Sequence, residues 1–275
     1  MEIRVLGPLL VRSGSAPATP TAPKPRTVLA LLLLQANQTV PVPDLIQELW
    51  GGEPPASALT TLQTYILQLR KRFRDALGLP TAAVAATVLV TVPGGYQFRS
   101  TADDFDLPRY QRLAAEGRRE LAAGNDALAA DLLLQAQSLW RGPALADVHA
   151  GSLLQPQIKR LQESRLTTVE QAIESRLRLG QHQEVISDLA GLTAQYRLHE
   201  NLHALFMVAL HRSGRRQEAL RVFQQLRTTM IEDLGLEPSK QLHLLQQAVL
   251  ADDPKLDLSP RENGKVLLLE RLGAR

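Results

Sequence analysis

The chain has 275 residues, 44% of them hydrophobic, 21% charged and only 4% aromatic, with a formal net charge of +3 and 52 leucines. That length allows one large domain or two modest ones, each able to bury a core, and a Leu-rich, aromatic-poor composition favours packed helices over a β-sandwich. The absence of cysteine excludes disulfides, thiolate metal sites and a cysteine nucleophile, and the longest apolar run, the seven residues from Val28 to Leu34, is far short of a membrane span. Glu2 and Arg4 flank Ile3 with no apolar stretch after them, so no signal peptide is read and a soluble, cytoplasmic protein is expected.

Short apolar runs open the chain, from Ile3 to Leu6 and from Leu9 to Val11. The Pro-rich segment Ser13 to Pro25 reads as a loop, Arg26 to Ala36 as a strongly apolar helix, and Val40 to Val42 as a short extended stretch between prolines. Asp44 to Trp50 is a short helix ended by Gly51-Gly52, and Pro54-Pro55 leads into a long helix over 57–77 with Ser57 as candidate N-cap. In that helix Leu62, Ile66, Leu69 and Phe73 recur at spacings of four, three and four, which makes one core-facing stripe. Thr60, Thr64, Gln68, Lys71 and Asp75 lie opposite, flanked by Thr61, Arg70, Arg72 and Arg74. Gly78 and Pro80 stop the helix. Thr87 to Val92, the turn Pro93-Gly94-Gly95 and Tyr96 to Arg99 form a β-hairpin.

Charge is unevenly spread. Residues 1–99 hold nine Lys/Arg against five Asp/Glu, and four of those nine fall at Arg70, Lys71, Arg72 and Arg74. Such asymmetry fits either a polyanion-binding surface or a helix end whose cations complement the dipole. Short strands, three helices with the third amphipathic and basic, then a hairpin is the order of a winged helix-turn-helix, in which the third helix enters the major groove and the wing touches backbone or minor groove.

From Phe105 onward the pattern is helical and broken by glycine. Gly180-Gln-His-Gln183-Glu184 aligns with Gly214-Arg-Arg-Gln217-Glu218 at an offset of 34, with Arg178 matching Arg212 and Leu192 matching Leu226. Gly124-Asn125-Asp126-Ala127 resembles a third, degenerate copy. A period of 34 is that of tetratricopeptide helix pairs, which stack to bury their apolar faces and usually bind partner proteins. The expected architecture is therefore mostly α: an N-terminal winged helix-turn-helix of α+β type over 1–99, an all-α tetratricopeptide-like repeat domain over 104–251, and a tail over 252–275 whose apolar run Val266 to Leu269 is expected to dock.

These residues carry a resemblance. Gly7-Pro8-Leu9, Leu49-Trp50-Gly51-Gly52-Glu53-Pro54-Pro55, Thr61-Leu62-Gln63-Thr64-Tyr65, Leu69-Arg70-Lys71 and Val92-Pro93-Gly94-Gly95-Tyr96 look like the Streptomyces antibiotic regulatory proteins. Tyr196 to Glu200, Ala209 to Arg215 and Asp233 to Pro238 are similar to their bacterial transcriptional activation domain, and the likeness covers about residues 2–250. It implies an activator of a secondary-metabolite gene cluster that binds direct repeats in double-stranded DNA near a promoter as a side-by-side homodimer and recruits RNA polymerase holoenzyme. It also implies a nucleoid-associated site of action, without cofactor or membrane. Two departures stand out. Many members carry Ser-Arg where this chain has Leu67-Gln68, and arginine prefers guanine where glutamine prefers adenine. Members also often have a strand where 13–25 is Pro-rich.

Carried over by position, the resemblance implies base reading by Thr64, Gln68 and Arg70. It implies phosphate contacts from Thr60, Thr61, Tyr65, Lys71 and Arg72. Trp50 would place its indole N–H on phosphate or pack at the helix end, and Thr91 and Arg99 are wing candidates. Phosphate contacts give affinity and register, whereas base contacts give sequence. His199-Glu200-Asn201-Leu202-His203 is a literal H-E-x-x-H, the zinc-protease pattern, but no third ligand follows at the expected distance, so it reads as coincidence at a helix start. No phosphate-binding loop, G-x-S-x-G or dinucleotide fingerprint occurs, no receiver domain is read, and no enzyme activity is expected. The competing class is a protein-binding repeat scaffold whose N-terminal part merely dimerises; the basic run at 70–74 argues against it.

Overall fold

Two three-stranded antiparallel sheets and the helices between them organise the first part of the chain in the computed structural model, which describes residues 1–101 and 104–257. Strands β1 (Glu2–Arg4), β2 (Leu10–Ser13) and β3 (Ala16–Pro17) form the first sheet in that order, with Ile3 opposite Val11 and Ser13 opposite Ala16. Ser13 to Pro25 is therefore not a simple loop. Gly14, at φ +56°, turns the chain back within two residues, and Pro17 is tolerated because an edge strand does not need its N–H. Helix α1 (Pro23–Leu34) also begins earlier than the expected Arg26, since proline in the first turn loses no hydrogen bond that a helix would have made. Every residue from Val28 to Leu33 in it is buried.

Helix α2 (Val42–Trp50) starts before Asp44 for the same reason, with Pro43 in its first turn. Helix α3 (Ala58–Leu77) matches the expected span, and Gly78 closes it in the left-handed conformation at φ +67°. Ser57 stands at its N-cap position, but its side chain accepts no capping hydrogen bond. A further short helix, α4 (Thr81–Thr87), follows Pro80. It takes Thr87 out of the hairpin, which begins only at β5 (Leu89–Val92) and returns in β6 (Gly95–Phe98). The hairpin has a third partner: β4 (Thr39–Pro41) pairs with β6, giving the order β4-β6-β5. Gly95 is obligatory there, because a Cβ would lie 2.2 Å from the Val40 carbonyl oxygen.

The remaining helices are α5 (Asp106–Ala123), α6 (Asp126–Ser138), α7 (Leu154–Arg178), α8 (His182–Gln195), α9 (Glu200–Arg212), α10 (Arg216–Leu234) and α11 (Lys240–Ala251), followed by a 3-10 turn at Pro254–Asp257. The expected docking of Val266 to Leu269 lies outside the described residues. The backbone packs as two units. One comprises Met1–Arg112 with Ala136–Leu166, and the other Leu113–Gln135 with the chain from Thr167 onward.

Three buried or half-buried carboxylates hold the first unit together over long sequence separations. Asp106 is fully buried and accepts hydrogen bonds from the backbone N–H groups of Val5 and Leu6 at 2.9–3.0 Å. Burial pushes its pKa up, against the pull of those two N–H donors. Asp147 accepts from the Leu9 N–H at 2.7 Å and pairs with Arg26 at 3.0 Å. Glu48, on the inner side of α2, accepts from the N–H groups of Gly151, Leu153 and Leu154. The Leu153 and Leu154 N–H groups are orphan donors at the start of α7, so a carboxylate from more than 100 residues earlier in the chain caps that helix and meets the positive end of its dipole. Gly151 is required by the same approach: a Cβ would lie 2.4 Å from the Glu48 carbonyl oxygen.

In the second unit the 34-residue offset between Gly180 and Gly214 is realised in backbone geometry, and Gly124 makes the same turn at a different spacing. Gly124, Gly180 and Gly214 are left-handed, at φ +82°, +82° and +74°. Each glycine N–H bonds the carbonyl three residues back, and each following N–H bonds the carbonyl five residues back: Asn125 to Glu120, Gln181 to Arg176, Arg215 to Leu210. That is a helix C-terminal turn repeated three times, where only glycine escapes the left-handed penalty. Val185, Leu189, Leu202, Met207, Phe223 and Leu245 fill the layer between the helices that follow.

Candidate nucleic-acid interface

The face that α3 presents outward follows from the face it buries. Leu62, Ile66, Leu69 and Phe73 are all at most 2% exposed, and the Phe73 ring packs tilted at 57° against Phe98 of β6, 5.6 Å between centroids. The four side chains lie on one stripe, so burying them fixes the rotation of the helix. Thr60, Thr64, Gln68 and Lys71 are consequently exposed along the opposite side, with Thr61, Tyr65 and Arg72 half-buried on one flank. The Thr64 hydroxyl donates to the Thr60 carbonyl at 3.0 Å, which orients its oxygen and leaves lone pairs free to accept.

The basic run divides in two. Arg74 pairs with Asp75 at 2.7 Å, and Arg70 turns toward the hairpin. Its Nε donates to the Leu89 carbonyl at 2.9 Å and its Nη2 to the Thr91 hydroxyl at 2.7 Å. β5 is an edge strand, so Arg70 satisfies a backbone acceptor that no neighbouring strand reaches. Burial against the hairpin lowers the Arg70 pKa from its ordinary value. Among the described residues Lys71 and Arg72 have no ion pair, which leaves them available to an external anion.

The remaining expected residues are placed as follows. Trp50 ends α2, half-buried, with the Lys24 ammonium 4.7 Å from its ring centroid, so the ring already serves as a cation–π platform. Thr91 is exposed on β5 and meets Arg70. Arg99 is exposed just past β6, where it donates to the Gln97 side chain at 2.9 Å and lies 3.5 Å from the Ala86 carbonyl. The structure thus brings Thr60, Thr64, Gln68 and Lys71 onto one helical face, couples Arg70 with Thr91, and sets Trp50 and Arg99 on other elements. Sequence reasoning did not find Glu48, Asp106 or Asp147. The signal for Glu48 was present: it stands three residues after the core residue Leu45, on the face α2 buries.

The H-E-x-x-H stretch is spent on structure. His199 is the N-cap residue of α9, with Nδ1 3.2 Å from Glu170. His203 is buried, its Nδ1 3.1 Å from the His199 carbonyl, and burial holds its pKa below the ordinary value. Glu200 accepts the Ser239 N–H at 2.9 Å. Among the described residues no three His, Asp or Glu side chains are grouped to hold a metal, and no helix is long and apolar enough to cross a membrane.

Two family models match. The one described as bacterial transcriptional activator domain covers residues 105–250, and the one described as transcriptional regulatory protein, C terminal, covers 18–98. The chain is 49% identical over 257 residues to the regulatory protein DnrI of Streptomyces peucetius, covering 94% of each. It is 34% identical to the transcriptional regulator RedD of Streptomyces coelicolor, covering 93% of this chain and 72% of that one. It is 39% identical to the regulatory protein AfsR of Streptomyces griseus, covering 93% of this chain but only 25% of that protein. The solved structure of Mycobacterium tuberculosis EmbR in complex with a low affinity phosphopeptide superposes with a TM-score of 0.87 at 29% identity, over 99% of this chain and 70% of that one. A winged helix-turn-helix with its polar helix face outward, followed by a helical-repeat domain and matched along almost its whole length by these regulators, belongs to the Streptomyces antibiotic regulatory protein family of DNA-binding transcriptional activators.

Proposed function

We propose that this chain switches on a secondary-metabolite, antibiotic-type gene cluster by binding direct repeats near a promoter as a side-by-side homodimer and recruiting RNA polymerase. The carrying observation is the outward face of α3. Thr60, Thr64, Gln68 and Lys71 line it, while the buried stripe and the Arg70 brace fix how it is presented. In this reading Thr64 and Gln68 read base edges, and Thr60, Thr61, Tyr65, Lys71 and Arg72 hold phosphates. Arg70 contributes through the wing it positions, Thr91 and Arg99 approach the backbone from that wing, and Trp50 with Lys24 offers a further cationic contact. The division of labour between 1–99 for DNA and 104–251 for dimerisation and polymerase contact belongs to the same proposal. The unit that carries α3 also takes in residues 136–166. The chain then acts in the cytoplasm, on the nucleoid.

Direct repeats require head-to-tail packing, which a two-fold dimer does not provide. The test is footprinting of the full chain on its own upstream intergenic DNA against unrelated competitor. Protection of two direct repeats about one helical turn apart is expected, since that spacing puts both copies on one side of the duplex. No protection at low salt would refute DNA binding and move the weight to the repeat domain as a protein-binding scaffold.

A further inference from the structure

One side chain on the outward face of α3 is left without a role by the contacts assigned so far. Leu67 is 47% exposed although every residue needed for the core stripe is already supplied by its neighbours. It stands three residues after Thr64 and four before Lys71, on the helix surface between them, to one side of the line those residues define; Gln68 lies to the other side. The other exposed leucine of α3, Leu59, sits in the first turn beside the edge of the buried stripe and does not share this position. On Leu67's flank the next side chain along is Arg70, and its guanidinium is committed to the Leu89 carbonyl and the Thr91 hydroxyl. Gln63, one turn earlier on that flank, is also exposed but polar, so Leu67 is the apolar group that projects from it toward whatever α3 faces.

An aliphatic side chain can neither donate to nor accept from a base edge or a phosphate. The major groove offers one apolar feature, the C5-methyl group of thymine. We infer that Leu67 packs on a thymine methyl in the major groove and fixes a T·A pair in each repeat, next to the base that Gln68 reads. The inference rests on the proposal that α3 enters that groove.

The probe is the duplex from the footprinted site, with each thymine replaced in turn by deoxyuridine. That change removes only the methyl and keeps every polar atom of the base pair. Binding of the full chain at fixed salt is expected to weaken about fourfold at one thymine per repeat, the worth of one buried methyl group. Leu67→Ala should bind the thymine and deoxyuridine probes equally at that position, and Leu67→Met should keep the discrimination. Both variants change an exposed side chain, and an unchanged melting curve shows that the fold is intact. A footprint with no deoxyuridine sensitivity, or a sensitivity that persists at full size in Leu67→Ala, overturns this inference alone. Absence of any footprint overturns it together with the reading it rests on.

Discussion

Replacing Arg70 by methionine keeps most of the aliphatic stem and removes the guanidinium that joins α3 to the hairpin. Two hydrogen bonds go: the charged Nε donor to the Leu89 carbonyl at 2.9 Å and the Nη2 donor to the more exposed Thr91 hydroxyl at 2.7 Å. Bonds from a charged donor are worth about 1.5–3 kcal/mol each where they are shielded and less in solvent, so a total near 2 kcal/mol is expected. For a protein of this size that lowers the thermal midpoint by about 3–4 °C, read by circular dichroism. With the wing loosened, DNA binding should weaken to a similar extent on every operator variant, leaving the order of preference among them unchanged. An Arg70→Met protein with an unaltered melting curve and a preference lost at a single base pair would refute the bracing role and make Arg70 a base-reading residue.

On the outward face, Lys71→Ala should weaken binding to all sequences alike and reduce the slope of log affinity against log salt by about 0.9, as expected for one phosphate contact, in a salt titration of a shift assay. Gln68→Ala should instead relax preference at one base step at a cost of about 1–3 kcal/mol; uniform loss from both variants would remove the distinction between them. Glu48→Ala leaves the N–H groups of Gly151, Leu153 and Leu154 without their acceptor, and urea unfolding should show a loss of about 3 kcal/mol, a loss below 1 kcal/mol being incompatible with the cap. Asp106 supplies a pH signature. Burial raises its folded pKa above the unfolded one, so the native state holds the proton to higher pH, and stability falls as pH rises from the unfolded value of about 4 through the folded value. Asp106→Asn should flatten that part of the stability–pH curve; an unchanged slope as pH rises above the unfolded value would show that the carboxylate does not supply it.

Features with a period were readable from the residues alone. The four-residue stripe of α3 predicts both its helicity and which side chains face outward, because burial of one stripe leaves no other rotation. The glycines at 180 and 214, 34 residues apart, were equally legible, and Gly124 shares their turn if not their spacing, since a left-handed helix end can be built from glycine and little else. Proline was the main source of error. Pro17, Pro23 and Pro43 read as interruptions, yet an edge strand and the first turn of a helix are the places where a missing N–H costs nothing, and all three fall there. The short helix at 81–87 lacks a full amphipathic period, and β4 is three residues long, so neither element carries enough pattern to stand out. What no local pattern contains is pairing across the chain. The Arg70 side chain was placed on the helix correctly, but its commitment to Leu89 depends on where the hairpin returns.

The long-range cap at Glu48 also governs how the protein can be dissected. A fragment cut after residue 99 would keep that carboxylate but lose the N–H groups of Gly151, Leu153 and Leu154, and the N–H of Leu9 would lose Asp147 as its acceptor. It would also keep Thr27 without the His149 carbonyl that receives its hydroxyl at 2.9 Å. Swapping such a fragment onto another activator would transplant the DNA-facing helix together with a set of unmet polar groups. A cut after residue 166 is no cleaner, because residues 113–135 pack with the other unit, where Leu121, Ala129 and Leu133 share a core cluster with Ala172, so the two units are expected to transfer DNA recognition only when exchanged together.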